Sequence, residues 1–334
     1  NIGDFLEKAK NLSKEKNKKL KIIFMGTPDI AIPFLQHLIF FENVIGVFTA
    51  PDMPAGRHMK IRESSIKKMA KMYGLNVFQP YSLKDEKVTR TIKALKPDLI
   101  VVVAYGYIIP EEIINIPTYK VINIHFSLLP KYRGAAPINW ALMNGEMETG
   151  VSSFFMTKKL DAGDIIYQKK IKIFDEYNSE TLSAKLVYLG LEVLNETIGL
   201  IQNFNFVPQK QNQEEVSVAP KLKKIDGKVD WNSKNTDIYN RIRGLVKWPG
   251  SYSGIYSGEE LKILKLFDPK LQYIEESGNI PGEILDICKE RGLLIKCGHG
   301  AIWIQRIQLD GHKIIHGYDF FIGRKIQKGD ILES

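Results

Sequence analysis

An uninterrupted apolar run at residues 98–104 constrains the fold of this chain more than any other stretch. It reads Asp-Leu-Ile-Val-Val-Val-Ala and is rich in β-branched side chains. A strand that is buried on both faces lacks polar alternation, and the central strands of parallel sheets have this character. Parallel strands are joined by crossovers that usually contain a helix, so the run predicts an α/β domain.

Strand-like and helix-like segments alternate before this run. Strands are predicted at Leu20–Met25 and Asn43–Thr49, and helices at about residues 63–73 and 84–95. The alternation predicts a doubly wound, mostly parallel sheet over residues 21–204. The turn after the first strand lacks the G-x-G-x-x-G pattern that binds dinucleotides, so NAD is rejected as a cofactor.

The composition of the sequence changes at a polar segment in the second half of the chain. Residues 205–220 are rich in Gln and Asn and include Pro208 and Pro220, a composition typical of a linker. Beyond them, short strand-like runs alternate with glycine turns. This pattern predicts a second, smaller domain over residues 221–334, either a β-barrel or a sandwich.

Charge and composition narrow the class of protein. The formal net charge of +9 favours a polyanionic partner, most simply a nucleic acid. The two cysteines lack His or Cys neighbours at metal-ligand spacing, which favours neither a disulfide framework nor a metal site and fits a reducing compartment. No apolar run approaches the roughly twenty residues of a membrane span. Residues 1–20 are lysine-rich, and we interpret them as a solvated extension that need not be ordered.

Two polar side chains lie at the end of a predicted strand, Val121–His125. Because side chains alternate across a strand, Asn123 and His125 face the same side, one pleat apart. Ligands bind at the carboxyl ends of strands in open α/β sheets, so Tyr105 and Gly106, just past the apolar run, should border the same crevice. A capped strand whose Asn and His satisfy backbone groups is the alternative interpretation.

An acid downstream favours chemistry over that alternative. An amide and an imidazole can donate hydrogen bonds to the oxyanion that forms when an amine attacks an acyl group. A carboxylate beside the imidazole stabilises its charged form, and Asp161, on the loop after the next strand, is the best candidate. Asp164 is interpreted as a turn residue. Neither a metal nor a covalent nucleophile is required, and Ser127 lacks the G-x-S-x-G context of a nucleophile.

A basic loop is predicted at residues 50–62, directly after the second predicted strand. It carries Arg57, Lys60 and Arg62 and is long for a connection between a strand and a helix. A contact with a phosphate backbone and a merely solvated loop both fit its composition.

Taken together, these motifs resemble the folate-dependent formyltransferase family, and within it the members that act on methionyl-tRNA. The resemblance runs from Lys21 to the C-terminus and is weakest over roughly the last hundred residues. The combination of these motifs is specific to the family, whereas no single motif is. The stretches that carry it are Asn123-Ile-His125, Ser127-Leu-Leu-Pro130, Arg133-Gly-Ala-Ala-Pro137, Leu160-Asp-Ala-Gly163, Gly26-Thr-Pro-Asp29, Pro51-Asp-Met-Pro-Ala-Gly-Arg57 and Val103-Ala-Tyr-Gly106.

The resemblance implies a folate co-substrate, 10-formyltetrahydrofolate, bound in the crevice, with no metal. It implies that Asn123, His125 and Asp161 form the catalytic trio. It also implies which residues line the folate pocket, namely Ser127, Leu128, Leu129, Pro130, Tyr105 and Gly106.

The resemblance further implies initiator methionyl-tRNA as the acceptor, and a monomer in a bacterial cytoplasm or an organelle matrix. The loop with Arg57, Lys60 and Arg62 would meet the acceptor end of the tRNA. The second domain would be an OB-like β-barrel with a basic face that includes Lys221 and Lys223.

Other readings share part of this pattern. Sugar-nucleotide formyltransferases have the trio but usually lack the Pro54–Arg57 stretch, and the hydrolase region of formyltetrahydrofolate dehydrogenase typically lacks an Asn at the place of Asn123. Glycinamide ribonucleotide formyltransferase has no second domain of this kind, and a non-catalytic RNA-binding protein would not need the trio. Two departures from the family stand out: His58 where Gly is more usual, and Phe126 where a smaller residue is.

Overall fold

The computed structural model describes residues 19–55, 60–204, 206–273, 280–323 and 326–334. The chain divides into two compact units. The first comprises residues up to 137, 149–171 and 183–219, and the second comprises residues 138–148, 172–182 and 220–334. The predicted sequence boundaries at 21–204, 205–220 and 221–334 stay predictions, and the extension predicted at 1–20 lies almost wholly outside the described residues.

The elements up to residue 219 follow one another in the predicted strand–helix alternation. In chain order they are β1 Lys21–Gly26, α1 Ile32–Phe41, β2 Asn43–Phe48, β3 Met53–Ala55, β4 Lys60–Arg62, α2 Ser65–Met72, β5 Val77–Phe78, α3 Glu86–Leu95, β6 Leu99–Val103, α4 Glu111–Ile114, β7 Val121–His125, β8 Arg133–Gly134, α5 Pro137–Met143, β9 Glu148–Phe155, β10 Ile165–Lys172, α6 Ser179–Asn203 and β11 Val218–Ala219.

Seven of these strands form one sheet in the order β10-β9-β7-β6-β1-β2-β5. The pairs β1–β2, β1–β6, β2–β5 and β6–β7 are parallel, and β7–β9 is antiparallel. Every residue of β6 is buried, as the continuous apolar run predicts for a central strand. The doubly wound, mostly parallel prediction is therefore confirmed.

The order of the strands places a crevice at one edge of the sheet. From β1 the chain moves outward to β2 and β5, and then returns to β6 on the other side of β1. The strand order reverses between β1 and β6, and ligands bind beyond the carboxyl ends of strands at such a point. The ends of β1, β6 and β7 therefore border the position where a ligand site is expected.

Residues 205–220, predicted as a linker, hydrogen-bond with the sheet of the first unit where they are described. Gln209 and Ile165 exchange two backbone hydrogen bonds of 2.8 Å. β11 pairs with β8 in parallel, in the register Val218 with Arg133 and Ala219 with Gly134. The polar composition of this segment reflects its position at the surface, while its backbone forms part of the fold.

The basic stretch predicted as a loop at residues 50–62 contains a two-stranded antiparallel ribbon, β3–β4. The base of the ribbon is fixed by Asp52, whose carboxylate accepts hydrogen bonds from Lys67 at 2.5 Å and Gln79 at 2.8 Å. Residues 56–59, between the two strands in sequence, lie outside the described residues. The prediction of an irregular loop was wrong for the two strands, because short paired segments carry too little apolar pattern to be recognised.

The second unit is built on antiparallel strands. After α7 Asn235–Gly244 its elements are β12 Ser251–Ser257, β13 Glu260–Gln272, β14 Ile284–Cys288, β15 Gly292–Lys296, β16 Ala301–Leu309, β17 Ile315–His316 and α8 Gly317–Ile322. The sheet order is β12-β13-β16-β15-β14, with β17 added to β16. Bridges from Glu333 to Gly254 and from Ile331 to Glu283 join the two edges through the C-terminal residues. The sheet thus closes into a barrel around buried Trp231, which agrees with the predicted OB-like domain.

None of the helices in the described part of the chain combines the length and the apolarity that a membrane crossing requires.

Candidate active site

A cavity of about 510 Å³ lies in the first unit, at the carboxyl ends of β6 and β7. Its volume falls within the range of small-molecule sites, roughly 300–1,000 Å³. Pro28 after β1, Ala104 to Ile109 after β6, Asn123 to Phe126 at the end of β7, and the loop 157–161 contribute to its wall. The structure therefore brings Asn123, His125 and Asp161, which were predicted from separate parts of the sequence, to one cavity.

Asn123 contributes its side-chain amide to the wall of this cavity. Its backbone is held in β7 between Val102 of β6 and Phe154 of β9, and its side chain is half-buried. Among the described residues the side-chain amide has no hydrogen-bond partner. An amide whose backbone is fixed by the sheet and whose N–H groups have no protein acceptor is suited to donate to a charge that develops in a ligand.

His125 is oriented by a backbone carbonyl. The ring is buried, and its Nε2 atom lies 2.9 Å from the carbonyl oxygen of Tyr132. A carbonyl can only accept, so Nε2 carries a hydrogen and the tautomer is fixed. The other nitrogen, Nδ1, faces the carboxylate of Asp161 at 3.8 Å from Oδ2. Nδ1 is thus the nitrogen that is available for proton transfer on the cavity side.

Asp161 is held in a strained turn. Its side chain is buried, its φ is +47°, and its Oδ2 accepts a 2.8 Å hydrogen bond from the backbone N–H of Gly134. A left-handed backbone costs a residue with a Cβ about 1 kcal/mol or more. Gly163, two residues on, has no room for a side chain, because a Cβ would lie 1.6 Å from the carbonyl oxygen of Phe155. The turn is therefore determined by packing on both sides of the carboxylate.

Gly134 supports the carboxylate in a position that only glycine fits, which gives a testable prediction. Its φ is +128°, and a Cβ would lie 2.5 Å from the carbonyl oxygen of Ala219. We expect Gly134→Ala to lower the free energy of unfolding by about 2 kcal/mol or more, because β8 must separate from β11. Thermal or urea unfolding measures the loss.

The matched control for this prediction is Gly74→Ala. Gly74 also has a positive φ, of +68°, but no atom lies within 4 Å of its would-be Cβ. It should lose only the conformational term, about 1 kcal/mol. Equal losses in the two variants would show that the close approach of Gly134 to Ala219 contributes nothing.

Tyr105 and Gly106 lie in the cavity wall, where the crevice prediction places them. Gly106 has a φ of +80°, which lets the chain turn away from the end of β6. Tyr105 is buried, and its hydroxyl has no hydrogen-bond partner among the described residues. Burial raises the pKa of this hydroxyl well above its ordinary value, so Tyr105 stays protonated and can serve as a donor.

The tetrapeptide Ser127, Leu128, Leu129 and Pro130 is not among the residues that line this cavity, and its place in the folate pocket stays a prediction. The Ser127 hydroxyl donates to the carbonyl oxygen of Lys131 at 2.6 Å. Leu129 is buried in a cluster with Phe154 and Ile165. Leu129 thus packs against β9 and β10, while the Ser127 hydroxyl stabilises the turn that follows His125.

The predicted tRNA-binding residues are found in two places. In the first unit, Arg62 is exposed on β4, Lys60 belongs to the same strand, and Arg57 lies outside the described residues. In the second unit, Lys221 and Lys223 are both exposed. The ribbon also exposes Met53 and Ile61, with 61% and 74% of their surface accessible, so apolar side chains lie at its surface beside Arg62.

Several residues of the site were not predicted. The loop 157–161 adds Lys158 and Lys159 to the cavity wall. Phe126, already noted as larger than the residue usual in the family, also lines the cavity and packs edge-on against Phe34. The backbone N–H of Gly134 carries no side-chain signal and could not be found from sequence. In the described part of the chain, no group of three or more His, Cys, Asp or Glu side chains could hold a metal ion.

Both parts of the chain match known protein families. Residues 20–198 match the family described as formyl transferase, and residues 221–325 match the formyl transferase C-terminal domain. A methionyl-tRNA formyltransferase of Alkaliphilus oremlandii is 42% identical over 94% of this chain and 99% of its own length. One of Caldanaerobacter subterraneus is 44% identical over 94% of this chain and all of its own length.

A solved structure shows the same fold at lower identity. The N-formyltransferase of Helicobacter canadensis, in complex with folinic acid and dTDP-3-aminofucose, has a TM-score of 0.64 and is 20% identical over 85% of this chain and 98% of its own. At this identity the likeness concerns the fold alone. The family descriptions and the two near-full-length relatives settle the larger question: this chain belongs to the formyl transferase family.

Proposed function

We propose that this chain transfers a formyl group from 10-formyltetrahydrofolate to the amino group of initiator methionyl-tRNA, for translation initiation. The observation that carries the proposal is the cavity that joins Asn123, His125 and Asp161. The proposal is supported by relatives that are named methionyl-tRNA formyltransferase and match the chain nearly end to end. The enzyme is thus a one-carbon group transferase with a folate co-substrate.

The reaction is an acyl transfer between two nitrogen atoms. The methionyl amine attacks the formyl carbon, and the carbonyl oxygen becomes an oxyanion. The intermediate then collapses as the bond between the formyl carbon and N10 of the folate breaks. The amine loses a proton and N10 gains one, so the products are formylmethionyl-tRNA and tetrahydrofolate. The enzyme must stabilise the oxyanion and move one proton.

The trio can divide these tasks by chemical type. The amide of Asn123 donates to the oxyanion, and the Nδ1–H of a protonated His125 supplies a second, charged donor. Asp161 lies 3.8 Å from that nitrogen and stabilises the charged ring. Its carboxylate is also the base of the trio while the imidazole is charged, and it takes the amine proton directly or through a water molecule. We propose these three roles, with Tyr105 and Gly106 in the folate wall.

The acceptor tRNA is expected to rely on exposed basic residues, which gives a second prediction. We expect the double variant Lys221→Ala/Lys223→Ala to raise the KM for tRNA and to reduce the slope of log affinity against log salt by about 1 to 2, since each phosphate contact contributes roughly 0.9. A salt titration of binding measures the slope. The KM for the folate is the internal control, and an unchanged slope would remove these lysines from the interface.

One incubation tests the function itself. The purified protein is mixed with 10-formyltetrahydrofolate and charged initiator tRNA, and in parallel with a UDP-amino sugar. We expect formyl transfer to the methionyl amine and none to the sugar. Transfer to the sugar alone would establish the sugar-nucleotide alternative, and binding of tRNA without transfer would establish a non-catalytic protein.

The cellular setting is proposed on the same basis. The matching relatives named above come from bacteria, which supports a bacterial cytoplasm. A monomer is also proposed. Size-exclusion chromatography with light scattering measures the mass.

A further inference from the structure

A buried glutamine behind the catalytic loop is not part of the cavity wall, yet it contacts the loop directly. Gln211 belongs to the stretch of residues 211–219, which we call the strap. It is buried, with 7% of its surface exposed. Its side-chain Nε2 donates to the carbonyl oxygens of Asp161 at 2.8 Å and Gly163 at 2.7 Å. Its Oε1 accepts from Nε and Nη2 of Arg133 at 3.0 and 2.6 Å.

These contacts use both ends of the carboxamide, and only one orientation fits. If the amide were reversed, its oxygen would face two carbonyl oxygens and its NH₂ group would face a guanidinium. Gln211 is therefore a clamp between the turn that carries Asp161 and the segment that carries Arg133. A carboxylate or an aliphatic side chain of the same length cannot replace both halves of the clamp.

The strap also supports the partners of both catalytic side chains. Ser217 accepts from the backbone N–H of Tyr132 through its hydroxyl and from that of Arg133 through its carbonyl, at 2.9 Å each. Tyr132 provides the carbonyl that orients His125. β11 pairs with β8, which holds the Gly134 N–H that binds the Asp161 carboxylate. Three residues of the strap, Ser217 and the two of β11, thus fix the backbone on which the imidazole and the carboxylate depend.

We infer that Gln211 is a positioning residue for the proposed reaction, which sets the place of Asp161 without touching the substrates. This inference rests on the proposed function. The left-handed backbone of Asp161 is strained, with a φ of +47°, and relaxes unless its carbonyl is held. A small displacement of the carboxylate from Nδ1 of His125 lowers the rate, because the geometry of reacting groups is worth up to a hundredfold per ångström.

The test is a pair of substitutions at Gln211 with one matched control. Gln211→Met removes both halves of the clamp at similar volume. Gln211→Glu keeps an acceptor for Arg133 but loses the donors to Asp161 and Gly163. We expect both to lower kcat by about tenfold to a hundredfold, with each KM within about threefold, because the cavity wall is intact. Gln209→Met is the control: its side chain is exposed, and its kcat should match that of the wild type.

A double variant with Asp161 separates a positioning role of Gln211 from general destabilisation of the fold. If Gln211 acts through Asp161, Gln211→Met should cost little more in the Asp161→Asn background, since the group it positions is already lost. A multiplicative loss in the double variant, or a wild-type kcat in folded Gln211→Met and Gln211→Glu, would overturn the inference. If Gln211→Met does not fold, Gln211→Glu decides alone.

The wild-type enzyme separates this inference from the proposed function. If the wild type does not formylate methionyl-tRNA, the proposed function fails. If it does and the Gln211 variants are indistinguishable from it, only the role of Gln211 fails.

Discussion

Asp161→Asn is expected to lower the single-turnover rate of formyl transfer by about a thousandfold or more, with both substrates still bound. The substitution preserves the shape of the side chain, and its amide oxygen can still accept from the N–H of Gly134. What it removes is the negative charge 3.8 Å from Nδ1 of His125 and the base of the trio. A thousandfold corresponds to about 4 kcal/mol of transition-state stabilisation. A rapid-quench assay with saturating folate and charged tRNA measures the rate.

The control for this prediction lies three residues along the same loop. Asp164 is half-buried, does not line the cavity, and uses its backbone carbonyl to accept from the N–H of Phe155. Asp164→Asn should therefore leave the rate within about twofold of the wild type. A wild-type rate in Asp161→Asn, or an equal loss in both variants, would count against the assigned role of Asp161.

His125→Ala is expected to lower the same rate by about a hundredfold to a ten-thousandfold, the range for loss of a general acid–base or a charged oxyanion donor. The ring is fixed by a 2.9 Å contact with the carbonyl of Tyr132, and alanine supplies no donor in place of its Nδ1–H. The substitution also leaves a space the size of an imidazole at the end of β7. Added imidazole should therefore restore part of the rate.

Binding measurements provide the control for His125→Ala. Folate affinity, followed by fluorescence quenching, should change by less than about threefold, because Tyr105 and Gly106 remain in the wall. If the variant loses folate binding and keeps its rate at saturation, His125 is a ligand-binding residue and not an acid–base group.

Much of the first unit could be predicted from local pattern. The apolar run at β6 identified the centre of the sheet, because burial on both faces leaves no room for polar side chains. The period-two spacing placed Asn123 and His125 at the end of β7, and the structure brings both to the cavity. The rule that ligands lie beyond the carboxyl ends of strands then placed Tyr105 and Gly106 beside them.

The parts that could not be predicted depend on long-range backbone contacts. The packing of Leu129 against β9 and β10 could not be predicted from the local sequence pattern. Residues 205–220 have the polar composition of a linker, while Gln211 and Ser217 within them hydrogen-bond to segments that are distant in sequence. Side-chain composition reports on solvent exposure and does not report on which backbone groups a segment pairs with.

The proposed mechanism requires that His125 and Asp161 act as a single unit beside the amide of Asn123. The measurement that tests it most directly is the single-turnover rate of the double variant His125→Ala/Asp161→Asn. If the two groups act as a unit, losing the second costs little once the first is gone. The double variant should therefore be at most about tenfold slower than the slower of the two single variants. A rate equal to the product of the two separate losses would show that imidazole and carboxylate act independently, and would contradict the account.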